Sequence, residues 1–450
     1  MIKNYELIIF VILYLLIILA SYLNIWVLLL LIIFLIILGL YFFYDDNEEI
    51  EEVKKEEIEY KSETINNSIV HHTIKDFSLI EIENDDVEDF KTIDYNEFKI
   101  LIEQENFIRQ FTEAIKVNLE MKRSHYQELH KYYKKEVSIF SDGDVRNENR
   151  KLSLKTLKTI IDIILEIDRK LLEINPTIVG KNLRDAVYNQ SKGMESLIGR
   201  QQVKDFLSIR LYSFSRNPKA SFKKFFNLNI YAPSGAGKTK LASVISFVLS
   251  KSGILVYDNI VMGTKTSLIS PYVNATAEKT RSTLISSLES VFFIDEAYSI
   301  VNQNANYGNT ADHSSESIAE LINFADKMIG LSIIIFAGYE EQMTQFMNSN
   351  EGLERRFLPP IILESYNNQE LSAILINFLQ ESEIVIGQRQ ANYLYSLITQ
   401  YRSYITKEAG SCLNLSEKIN LILLSSDRDW ESNYKTILNK AFKEYIEKKY

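Results

Sequence analysis

Hydrophobic residues follow three different rhythms along the chain. From Leu7 to Phe43 they are almost continuous, a run of 37 residues. As one helix it would be about 55 Å long, against a hydrocarbon core of roughly 30 Å. Its weak point is Ser21-Tyr22-Leu23-Asn24. We therefore expect an N-terminal transmembrane hairpin within residues 1–44, with spans near 5–21 and 25–44, or else a single tilted span. A cleavable signal peptide would carry an apolar region of only about 7–15 residues. From Tyr95 to Glu136 the apolar positions Phe98, Ile102, Phe107, Phe111, Ile115 and Leu119 recur at helical steps. A turn cluster, Ser141-Asp142-Gly143-Asp144, separates them from a second helical face at Leu154, Leu157, Ile161, Ile164 and Leu171. Asn175-Pro176 closes that face. The pair predicts an antiparallel helical module over 95–185, either a packing element or a part that recruits a substrate.

The third rhythm is strand and helix in alternation. Strands are predicted at Leu228–Ala232, Ile254–Asp258, Val291–Asp295, Ser332–Ala337 and Ile361–Leu363. Helical stretches lie between them, a pattern that implies a parallel sheet covered on both faces. From 367 to 450 the pattern is helical again, broken near Gly387 and Gly410.

Charge divides the chain further. The formal net charge is −10, and Asp45–Glu63 alone holds ten acidic residues and three lysines. Residues 45–94 thus read as an acidic linker. No basic tract occurs elsewhere, so nucleic acid is not an expected partner. Cys412 is the only cysteine, which rules out a disulfide within the chain and fits a reducing compartment.

The chemistry concentrates between Asn227 and Thr239. A short apolar strand runs into Ala232-Pro233-Ser234-Gly235-Ala236-Gly237-Lys238-Thr239, and a helix follows from Lys240. Gly235 and Gly237 allow a tight curl that turns backbone N–H groups onto phosphates. The helix adds its positive end. Lys238 is placed to reach the outer phosphates, and Thr239 to offer a hydroxyl to Mg²⁺. Further on, the apolar run Val291–Ile294 ends in Asp295-Glu296, a metal-organising carboxylate followed by one able to activate water.

With these motifs in place, residues 194–366 resemble an AAA+ ATPase. They are most similar to the branch of the red-type Rubisco activase CbbX, or CfxQ, and stage V sporulation protein K. Leu197-Ile198-Gly199 with Val203-Lys204 matches the domain entrance. Phe292-Phe293-Ile294-Asp295-Glu296-Ala297-Tyr298, Phe336-Ala337-Gly338-Tyr339 and Asn350-Glu351-Gly352-Leu353-Glu354-Arg355-Arg356-Phe357 match further on. The resemblance implies an α/β P-loop NTPase core, a parallel sheet flanked by helices, with a C-terminal helical lid at 367–450. It implies that Ile198 and Gly199 line the adenine pocket and that residues Ala232 to Lys240 hold ATP. Thr239 and Asp295 would hold Mg²⁺, Glu296 would polarise the attacking water, and Arg356 would serve the neighbouring subunit's site as an arginine finger. A ring, expected to be a hexamer, follows from that last role. Tyr272 and Val273 match the pore loop that grips a polypeptide.

The chain departs from the family at four places. Ala232 replaces the first glycine of the loop, ahead of Pro233, which favours an extended backbone there. Tyr339 stands where many AAA+ proteins have a polar sensor. Asn274 replaces the pore-loop glycine. Near Gly410 the chain reads Ser411-Cys412-Leu413-Asn414, and no arginine aligns with the lid sensor. The expected function is a membrane-anchored ATPase, its ATPase domain facing the cytosol, that remodels or threads a protein substrate. The alternative is a nucleotide-binding membrane scaffold or switch with weak hydrolysis.

Overall fold

The computed structural model describes residues 93–139, 146–223, 227–272, 275–301, 313–425 and 429–447. The apolar run, the acidic linker up to residue 92, the turn at 141–144 and Val273 lie outside the described residues. Among the described residues, no helix is long and apolar enough to cross a membrane.

The chain enters through α1 (Tyr95–Leu101), whose start is fixed by a capping box between Asp94 and Glu97. The predicted first helix is therefore two, since the chain breaks after Leu101 and restarts as α2 (Glu105–Ile139). Next come α3 (Arg146–Glu173) and α4 (Pro176–Tyr188). Asn175 not only ends α3 but also caps α4, accepting from the Ile178 N–H, with Pro176 in the first turn where its missing N–H costs nothing. Helix α5 (Gln201–Arg216) leads to β1 (Leu228–Tyr231) and α6 (Lys238–Lys251). The core continues with β2 (Ile260–Gly263), α7 (Thr276–Ile285), β3 (Val291–Asp295), α8 (His313–Lys327), β4 (Ile333–Gly338), α9 (Glu340–Asn348) and β5 (Ile361–Ile362). The lid comprises α10 (Asn368–Glu381), α11 (Gln388–Gln400), α12 (Glu408–Leu424) and α13 (Trp430–Glu447).

The five strands pair in parallel, in the order β2-β3-β4-β1-β5. Asp295 stands opposite Ala337 at the carboxyl end of the sheet, and Tyr231 opposite Gly338. Both central strands are buried along their apolar residues, as a sheet covered on two faces requires.

One predicted strand is corrected. Ile254–Asp258 is a buried loop, and β2 starts at Ile260, where pairing with Val291 begins. Side chains, rather than a neighbouring strand, hold much of that loop's backbone. The Asn118 amide donates to the Gly253 carbonyl at 3.1 Å and the Lys122 ammonium to the Ile254 carbonyl at 2.8 Å. The Val256 N–H donates to the Glu289 carboxylate at 3.2 Å. Apolar content marked this segment as buried but could not say which partner would take its polar groups. The expected break near Gly410 falls just before it, at residues 401–407 between α11 and α12, with Gly410 itself in the first turn of α12.

A continuous apolar core runs from Ile93 to Leu363, so α2 and α3 share their interior with the sheet. Lys122 on α2 and Glu289 before β3 form an ion pair, both fully buried, and the Tyr126 hydroxyl donates to the same carboxylate at 2.9 Å. Burial pushes the Glu289 carboxyl up and the Lys122 ammonium down, while each charge favours the other's ionised form. The lid has its own core, built on residues such as Leu371, Leu394, Cys412, Ile419 and Phe442.

Candidate nucleotide site

The site lies at the carboxyl ends of β1 and β3, where the loop after β1 touches the lid. Ala232 extends β1, its N–H donating to the Gly338 carbonyl at 3.0 Å, and it takes no left-handed backbone. Alanine in place of glycine is thus unstrained here. The two glycines that follow are left-handed, with φ of +75° at Gly235 and +87° at Gly237. That geometry is cheap for glycine alone. Ser234 and Thr239 are exposed, and Lys238 opens α6. The Lys240 ammonium donates to the Ser191 carbonyl at the rim of the site.

Three predicted residues come together across the strand ends. The Lys238 ammonium lies 3.9 Å from the Asp295 carboxylate and 5.4 Å from the centre of the Tyr339 ring. Asp295 accepts from the Glu296 N–H at 3.0 Å. Glu296 itself is left-handed, with φ of +51°, which costs a non-glycine residue about 1 kcal/mol or more. Both carboxylates are exposed. The Thr239 hydroxyl and the Asp295 carboxylate are hard oxygen donors of the kind Mg²⁺ takes, and the curled loop is suited to phosphates.

Beside the loop is a cavity of about 210 Å³, lined by Ile198, Ala236, Gly237, Tyr366 and Phe378 among others. Gly199 is left-handed at +66°, and a β-carbon there would stand 2.0 Å from the Glu370 carboxylate of the lid.

Arg356 is elsewhere. Its neighbour Phe357 bridges Asn227, at the amino end of β1, whereas the phosphate loop leaves the carboxyl end. The strand between spans about 13 Å at roughly 3.3 Å per residue. Arg356 is held by Asp326 in a two-pronged ion pair, one arm at 2.5 Å, and donates to the Gly352 carbonyl at 2.8 Å. Arg355 is exposed and meets Glu351 at 3.5 Å. Tyr272 is 75% exposed, above a base where the Thr276 hydroxyl accepts from the Ser270 N–H. Leu413, within the stretch where no sensor arginine aligns, is 42% exposed.

Sequence reasoning missed Arg200, Tyr366 and Glu408, which tie the loop to the lid. The available signal was a charged residue set directly after Ile198-Gly199, at the mouth of the domain.

Comparison with known proteins agrees with this geometry. The profile of the ATPase family associated with various cellular activities (AAA) matches residues 228–358. Stage V sporulation protein K of Bacillus subtilis is 28% identical over 203 residues, 44% of this chain and 62% of that protein. The Protein CfxQ homolog of Galdieria sulphuraria is 27% identical over 255 residues, 56% of this chain and 76% of that one. The Cyanidium caldarium homolog is 32% identical over 149 residues, 33% of this chain and 51% of its own length. Residues 228–358 are therefore similar to the AAA ATPase family, and the chain is similar to the CfxQ proteins and stage V sporulation protein K.

Proposed function

We propose that the protein is a membrane-anchored AAA+ ATPase, assembled as a hexameric ring, that uses ATP hydrolysis to remodel or thread a protein substrate. The observation that carries this reading is the convergence of Lys238, Asp295 and Glu296 at one edge of the sheet, under a loop curled by Gly235 and Gly237. Ile198 and Gly199 bound the base, and the loop from Ala232 to Lys240 wraps the phosphates. Thr239 and Asp295 would hold Mg²⁺, which when bound would neutralise charge on the phosphate oxygens. Glu296, exposed beside Asp295, orients and deprotonates the attacking water. Arg356 lies beside the amino end of β1, away from its own loop, and on leaving Asp326 it would serve a neighbour's nucleotide. Tyr272, exposed on its loop, grips the substrate through a sequence-tolerant aromatic face.

The test is Mg²⁺-dependent ATP hydrolysis by the full chain. Glu296→Gln should retain ATP yet lose turnover, while Lys238→Ala should lose binding. Unchanged turnover in Glu296→Gln would remove the assigned base. Tyr272→Ala should keep basal hydrolysis and lose work on the client. Proteins trapped by Glu296→Gln would identify that client.

The membrane part rests on the Leu7–Phe43 run. With a hairpin, tags placed before Lys3 and after Asp45 are both digested on sealed vesicles that expose the ATPase face. A single span protects one of them. The second reading, a nucleotide-gated scaffold with weak hydrolysis, is favoured by one observation: no lid arginine aligns and Leu413 is exposed in that stretch.

A further inference from the structure

Arg200 is 8% exposed, yet its charge has no carboxylate partner among its hydrogen bonds. Its guanidinium spends two arms on backbone carbonyls instead. One reaches Ala236 in the phosphate loop at 3.0 Å, and the other reaches Glu364 in the linker between β5 and the lid at 2.7 Å. Its face lies over the Tyr366 ring, 3.8 Å from the centroid. The Tyr366 hydroxyl donates to the same Ala236 carbonyl at 3.2 Å. One peptide of the loop thus takes two donors, one from the core entrance and one from the lid linker.

The linker is fastened to the lid as firmly as to the loop. The Tyr366 N–H donates to the Glu408 carboxylate and its carbonyl accepts from Arg402, each at 3.2 Å. Arg402 and Glu408 pair at 3.0 Å. Glu408 is buried and left-handed, with φ of +45°, a conformation that persists only where the surroundings dictate it. The next residue closes the circuit, as the Ala409 N–H donates to the Gly235 carbonyl at 3.1 Å. Lid and loop are therefore joined twice, directly through Gly235 and indirectly through Arg200 and Tyr366.

We propose that Arg200 and Tyr366 are positioning residues that make the alignment of the phosphate loop depend on the posture of the lid. The inference rests on ATP binding at this loop. Moving the lid about residues 364–367 would shift both donors on the Ala236 carbonyl and rotate the peptide whose N–H belongs to Gly237. A buried guanidinium suits this task because its planar fork fixes two acceptors at once, which an ammonium cannot do. Those bonds and the Tyr366 face offset part of the cost of burying it, while its buried Nε has no hydrogen-bond partner.

The test uses the full chain with Mg²⁺ and ATP, reading affinity, kcat and KM, and ATP-dependent amide exchange at 409–411. In the parent, ATP should slow exchange there. Arg200→Met should still bind ATP within about tenfold, lose that lid response, and drop kcat by about tenfold or more. Arg200→Lys should restore folding without restoring the lid response. Tyr366→Phe keeps the ring under Arg200 and removes only the hydroxyl, and it should lower kcat several-fold with KM little changed. It decides the matter if Arg200→Met does not fold. A normal lid response and normal kcat in Tyr366→Phe and in any folded Arg200 variant would overturn the inference. Failure of the parent to bind ATP would instead overturn the functional reading on which it rests.

Discussion

Lys122 and Glu289 meet in the interior, 167 residues apart in sequence, with neither side chain more than 1% exposed. One belongs to the helical arm, the other to the turn that feeds β3, the strand carrying Asp295. An ion pair so deep is expensive to form and more expensive to break, because the survivor is left charged without a partner.

Lys122→Met should therefore destabilise the protein by about 3–5 kcal/mol, and combining it with Glu289→Gln should recover part of the loss. Denaturant unfolding measures both. A fragment beginning after residue 190 should not fold, whereas one beginning near Ile93 should. A stable, cooperative fragment lacking α2 would refute this account of the core.

Gly235→Ala should disable nucleotide binding while sparing the fold. Its β-carbon would sit 1.9 Å from the Lys407 carbonyl oxygen, on a backbone with φ of +75°. Loop and lid must separate to admit it. Affinity for ATP should fall on the order of tenfold or more, equivalent to about 1.4 kcal/mol. Calorimetric titration with ATP would reveal it, and parental affinity would contradict the contact described.

Arg356 should act in trans. Arg356→Ala is expected to lower hydrolysis by a factor of roughly 10³ with ATP affinity within a few-fold, since a finger acts mainly on the transition state. Lys238→Ala subunits cannot bind ATP themselves but still carry Arg356. Mixed with Arg356→Ala subunits, they should restore activity. Co-assembled particles that stay inactive would leave the Asp326 pair as the residue's whole role and favour the scaffold.

Cys412 should report the state of the lid. Burial pushes its thiol up to about 12. The folded state thus holds its proton more tightly than the unfolded one, so this contribution to stability is lost as pH rises past the ordinary thiol range. At pH 8 alkylation by iodoacetamide should be slow and should accelerate only on unfolding. Rapid labelling of the native protein would contradict the packing of the lid core.

The strand alternation was legible because buried parallel strands are short, apolar and bounded by punctuation. Val291–Asp295 was read with its observed limits. The phosphate loop and Asp295-Glu296 were legible because their spacing is local. Ile254–Asp258 misled because its partners are Asn118, Lys122 and Glu289, and side chains remote in sequence leave no periodicity. Arg200 and Tyr366 were hidden for the same reason. Each looks ordinary alone, and only the fold sets one ring under the other's guanidinium. The roles of Arg356 and Tyr272 came from family resemblance; the structure shows only that Arg356 lies beside the amino end of β1, paired with Asp326 and away from its own phosphate loop.

The 35 residues of α2 make a rod about 52 Å long. Its fully buried residues end near Leu129, but beyond them Tyr133 still packs against the core and Glu136 accepts from the Ser153 hydroxyl of α3, so the two helices run on together. A tilt of about 5° at the Lys122 clamp would carry the tip, 17 residues and roughly 25 Å away, through about 2 Å. A displacement at the base of β3 would be carried outward by α2 together with α3, and a pull on their shared end would be delivered through the Lys122–Glu289 pair to the foot of the strand that carries Asp295.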